Sequence, residues 1–253
     1  LSSVLVPPVA NVMIRNWGVS AAFQTIAVCF AVVLLLASAF VEQGPEEAGQ
    51  MLPGGGRDMS WREMLCQKKF YGMCAMLLCG GLSGMMVISS ASDMAQVEAG
   101  FSPAAAALMV SVLSLFNAGG RASAGILSDK LGRIGTLSLV FPISVAALCA
   151  LFFFGQDSMA VFAVSIALVG ACFGALMGIF PGFTADEFGQ RNNTVNYGIL
   201  FFGFALSGML GPQVASWVMS GTGSYRSAFL IAAVVALAGF AFTFLHRRLA
   251  ARS

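Results

Sequence analysis

The feature that most constrains this chain is the run 104–127, an apolar stretch interrupted by one cation, Arg121. At ~1.5 Å per residue such a run crosses the ~30 Å hydrocarbon core of a bilayer as a helix. Arg121 lies eight residues before Asp129, the first charge beyond the stretch, roughly 12 Å deep. A cation there costs on the order of 2.5–3.5 kcal/mol by insertion scales. No acidic residue stands within the apolar part of any other span. The counter-charge therefore belongs either to a ligand or to polypeptide outside these spans, and the sequence leaves both open.

Composition excludes a water-soluble domain. The chain is 58% hydrophobic and 9% charged, against about 25% charged in soluble domains. Seven apolar runs are each long enough to cross: 20–41, 70–92, 104–127, 136–155, 159–183, 194–219 and 227–245. They are continuously apolar and do not alternate, so the spans are helices, not barrel strands. The fold class is an all-α polytopic membrane bundle, with a lipid bilayer as its surroundings. A shorter run, 1–14, holds Pro7-Pro8 and reads as the end of a helix. The chain opens on Leu1 without the pattern of a signal peptide, so its start is expected to lie inside a longer protein.

Segment 42–69 is the one long polar stretch and reads as a linker. Lys and Arg distribution orients the spans. One side collects Arg57, Arg62, Lys68, Lys69, Lys130, Arg133, Arg191, Arg247, Arg248 and Arg252; the other has Arg15 and Arg226. The linker, the 128–135 loop and the C-terminus are thus expected to be cytoplasmic. A net charge of +2 with scattered basic residues carries no nucleic-acid signal. The six cysteines lack metal-ligand spacing and read as small core residues. The chain has no nucleotide-binding loop and no catalytic constellation, so neither an enzyme nor a cofactor is expected, and oligomeric state is left open.

The loop Gly125-Ile126-Leu127-Ser128-Asp129-Lys130-Leu131-Gly132-Arg133 resembles the loop signature of the major facilitator superfamily. Gly132 permits a tight reversal, Lys130 and Arg133 hold the loop on its side, and Asp129 can meet Arg133 or a helix N-terminus. Contacts made in one conformation and broken in another would make Gly125, Asp129, Lys130, Gly132 and Arg133 a latch. The resemblance implies twelve helices in two six-helix halves. Residues 1–41 then end the N-terminal bundle, 42–69 link, and 70–253 form the C-terminal bundle, with the first four helices absent from the chain.

Phe116-Asn117-Ala118-Gly119-Gly120-Arg121, Thr184-Ala185-Asp186-Glu187-Phe188-Gly189 and Asn196-Tyr197-Gly198 are similar to the oxalate:formate antiporter family. That resemblance implies transport of small organic anions, with Arg121 binding the substrate carboxylate. Many members carry a lysine at about the position of Phe204; its absence points to a monocarboxylate. Physically, a guanidinium fork matches a carboxylate, and Asn117 lies one turn back on the same face. Phe173 and Met177 flank a fourfold glycine repeat, Gly170, Gly174, Gly178 and Gly182, read first as a packing seam. Phe173, Met177 and Phe204 complete the expected substrate-binding set with Arg121 and Asn117. His246 is expected at the membrane interface, and Asp93 and Glu98 in a solvated outer loop. A second reading is a non-transporting membrane sensor or truncated relative of the same fold.

Overall fold

The structure, a computed structural model, describes residues 2–39 and 58–250; residues 40–57 of the linker, with Arg57, and the terminal 251–253, with Arg252, lie outside the described residues. The chain divides into two compact units, Leu1–Gly55 and Gly56–Ser253. Every described element is helical. Among the described residues, seven helical spans are long and apolar enough to cross a membrane.

In the first unit, α1 (Ser2–Ala39) is broken at Gly18 (φ 81, ψ 165), which separates the 1–14 remnant from the full span. The span Asn16–Ser38 is almost entirely unburied within the chain, with Phe23, Leu34 and Leu35 all exposed. Apolar on every side, it suits hydrocarbon surroundings.

The second unit starts with a five-residue helix, α2 (Trp61–Leu65). Its N-cap Ser60 and Glu63 form a reciprocal capping box. Then come α3 (Lys68–Ile88), a short α4 (Ala91–Ala99), α5 (Pro103–Leu131), α6 (Arg133–Phe154), α7 (Met159–Phe188), α8 (Asn193–Leu200), α9 (Phe202–Thr222) and α10 (Arg226–Ala250). Ser102 and Ser158 cap α5 and α7 by accepting from the Ala105 and Val161 N–H groups. The continuous run 194–219 is two helices in the structure, joined by a turn at Phe201.

Helix α7 is the central element, packed against α5, α6 and α3, while α10 lies on α3 and α6, and α9 on α3. Small residues allow this closeness. A Cβ at Gly170, Gly174 or Gly178 would collide with the carbonyl oxygens of Leu113, Asn117 and Arg121 on α5, and one at Gly120 with that of Ala171. The α5–α7 seam is thus backbone against backbone, the small-residue packing that membranes favour. Between α3 and α9, Ser207 donates to the carbonyls of Leu78 (3.0 Å) and Gly203 (3.0 Å).

One feature differs from the expectations. Glu98 is not solvated: it is 7% exposed. Its carboxylate accepts from the Ser224 hydroxyl (2.9 Å), the Tyr225 N–H and the Gln156 amide, tying α4 to the starts and ends of neighbouring helices. Burial, then the carboxylates of Asp93 and Glu98, push the Tyr225 phenol above its usual range, partly offset by a hydrogen bond with Ser90. His246, near the end of α10, is fully buried within the protein, edge-on to Phe183 at 5.2 Å.

Candidate functional site

Arg121 projects from the middle of α5 and is exposed on the surface of the second unit. Its backbone is fixed by contact with Gly178 of α7, so α5 cannot slide there without opening the seam. Among the described residues no carboxylate pairs with it. The phenol of Tyr197 on α8 is one polar group that feels its charge. Asn117, half-buried, stands one turn back on α5 and is seated the same way against Gly174.

The aromatic members extend from this point. Tyr197 and Phe201 have ring centroids 5.5 Å apart, Phe201 and Phe204 4.7 Å, and Phe204 and Phe173 5.7 Å. Phe204 is half-buried. Phe173 is 8% exposed and packs over Gly84 of α3, so its ring belongs to the core between α3 and α9. Met177 is half-buried and packs against the core cluster at the Phe180 end of α7. Arg121 and Asn117 share one face of α5, and Tyr197, Phe201, Phe204 and Phe173 form an aromatic row running from α8 to α7. Tyr197 stood out in the sequence only as part of a motif.

The 125–133 stretch, read as a loop in the sequence, is helical except at Gly132, and it gathers around Arg133. Its Nε donates to Asp186 Oδ2 (2.8 Å), and its Nη1 to Asp129 Oδ1 (2.7 Å) and to Ser128 Oγ. Gly132 has φ 78, a left-handed backbone that allows α5 to end and α6 to begin at one residue. Gly182, the fourth glycine of the repeat, lies under the Arg133 guanidinium, where a Cβ would be 2.9 Å from Nη2. Lys130 is exposed, and Gly125 supplies the carbonyl that accepts from Ser128 (2.8 Å). A cleft of about 490 Å³ opens beside the loop, bordered by Arg133, Asp186, Glu187 and Arg247; it does not border Arg121.

The neighbouring residues of α7 bind further elements. Glu187 pairs with Lys69 of α3 (3.2 Å) and faces His246 Nε2 of α10 (3.5 Å). Phe188 accepts from the Met59 N–H (2.9 Å). Three consecutive residues thus anchor α6, then α3 and α10, then the end of the linker. In the sequence this stretch carries a family resemblance and no sign of these contacts.

Residues 1–212 match the family described as Major Facilitator Superfamily. The chain is similar to an uncharacterised MFS-type transporter, YhjX, of Escherichia coli strain K12: 34% identical over 150 residues, 59% of this chain and 37% of that protein. It is 25% identical over 236 residues to the oxalate:formate antiporter of Oxalobacter formigenes, 92% of this chain and 56% of that protein. Among solved structures, a variant of the Escherichia coli fucose:proton symporter FucP superposes with a TM-score of 0.69 at 16% identity, covering 90% of this chain and 56% of that one. The chain thus spans about half the length of these relatives, or less.

Proposed function

This chain belongs to the Major Facilitator Superfamily, and we propose that it works as a secondary transporter carrying a small organic anion, a monocarboxylate or an oxalate- or formate-like species, by alternating access. The observation that carries this reading is Arg121, mid-span, exposed, and without a carboxylate partner among the described residues. An unpaired guanidinium at that depth is expensive. A planar carboxylate is the ligand whose two oxygens fit its fork. Asn117 supplies a further donor on the same face. Position 204 is a phenylalanine, where a second cation would suit a second carboxylate. One cation favours a substrate with one carboxylate.

In this reading the 125–133 loop is a cytoplasmic latch. Asp129, Ser128 and Asp186 gather the Arg133 guanidinium in the conformation described here, and their release accompanies the other. The same Lys and Arg asymmetry that orients the spans puts the linker and C-terminus in the cytoplasm. Segments 1–41 and 70–253 belong to two bundles joined by 42–69. The described spans hold no carboxylate placed to relay protons, which favours exchange or uniport. Uptake by the full-length protein in proteoliposomes tests the reading. Arg121→Gln is expected to cut formate and lactate uptake at least tenfold; uptake equal to that of the parent protein overturns the anion site.

A further inference from the structure

We propose that the stretch 58–60 is a strap by which the linker grips α8, and that Asn196 is a positioning residue that transmits this grip to Tyr197. The inference rests on the reading of Arg121 as the anion site. Met59 spends both of its backbone polar groups on the turn between α7 and α8. Its N–H donates to the Phe188 carbonyl (2.9 Å). Its carbonyl accepts from the side-chain amides of Asn192 (3.2 Å) and Asn196 (3.1 Å). Asp58 Oδ1 accepts from the Arg191 N–H (3.2 Å).

The turn is shaped for this occupant. Gly189 has φ +90, and a Cβ there would stand 2.7 Å from the Asp58 Cα. Any other residue would be strained and would push the strap out. Asn196 is fully buried, with its Nδ2 bonded and its Oδ1 without a partner among the described residues. Burying an amide is unfavourable unless it is bonded, and packing alone would be served by an apolar side chain. Its donor role toward Met59 is the reason for an amide at this position.

The mechanical consequence follows from the helix. Asn196 and Tyr197 are successive residues, about 100° apart around α8 at 3.6 residues per turn. One faces the strap and the other opens the aromatic row that runs through Phe201 to Phe204. Helix α8 has eight residues and ends in a turn at Phe201, so it can shift without moving all of α9. On its other side the strap runs straight into Ser60, the cap of α2, which leads to α3. The covalent connection from the first unit therefore arrives bonded to the helix that carries Tyr197. Displacing it by one peptide breaks the Met59 bonds or turns α8.

Two variants of the full-length protein in lipid nanodiscs test this: Asn192→Ala/Asn196→Ala, which removes both amide donors, and Met59→Pro, which removes the strap N–H and leaves α8 unchanged. Hydrogen–deuterium exchange is expected to rise at least tenfold in peptides covering 58–66 and 193–204, and to stay within twofold in 103–125. The KM for formate uptake is expected to rise at least threefold in both variants. Exchange in 193–204 within twofold of the parent overturns the strap. Faster exchange with an unchanged KM in both overturns the positioning role. If Arg121→Gln transports normally while exchange still responds, the anion reading falls and the strap itself is supported.

Discussion

A carboxylate at a membrane surface is cheapest in water, yet Glu98 is buried and satisfied by three neutral donors. Removing it strands those donors, two of them on the segment that starts α10. Glu98→Ala is expected to destabilise the protein by about 1–3 kcal/mol, the range for leaving buried polar groups unpaired, read as a lower melting temperature in detergent. Arg133 works differently. Its partners Asp129 and Asp186 are more than half exposed, so each pair alone is worth little. What matters is that one guanidinium holds two acids and a hydroxyl together. Arg133→Lys, which keeps the charge and loses the fork, should therefore slow transport at least threefold while moving the melting point by only a degree or two. Initial-rate uptake beside a thermal melt checks it. The Asp129–Arg133 pair was legible in the sequence because the two residues lie one helical turn apart. Glu187 with Lys69 and His246 was not. The pairs span 118 and 59 residues, and His246 stands beside two exposed arginines that disguise a buried ring.

At the scale of elements, spacing carried most of the information. Four glycines at every fourth position put one face of α7 against a partner, and the structure identifies that partner as the carbonyl row of α5 and, at the last position, Arg133. The seam yields a paired prediction. Gly174→Ala forces a methyl into the Asn117 carbonyl and should cost about 1–3 kcal/mol by overpacking. Gly119→Ala, on a site with nothing within 4 Å, should be neutral. Thermal melts of the two variants side by side decide it. The division of the last-but-one span into α8 and α9 was hidden, since no proline or glycine occupies position 201 and hydropathy runs on unbroken. Helix α4 was hidden for a related reason. Its nine residues read as a polar loop because its buried acid, Glu98, is satisfied by residues more than fifty positions away.

For the molecule as a whole, charge asymmetry and span count agree on one orientation. Cys66, exposed at the end of α2 next to Lys68 and Lys69, reports it. A membrane-impermeant maleimide should label Cys66 in inverted vesicles and not in intact cells; the reverse pattern would invert the topology. All of this serves one claim, that the guanidinium of Arg121 takes its counter-charge from a bound carboxylate. Calorimetric titration of the purified full-length protein with formate and lactate tests that claim directly. The account predicts that Arg121→Gln weakens binding at least tenfold, about 1.4 kcal/mol or more; equal affinity in the variant and the parent would contradict it.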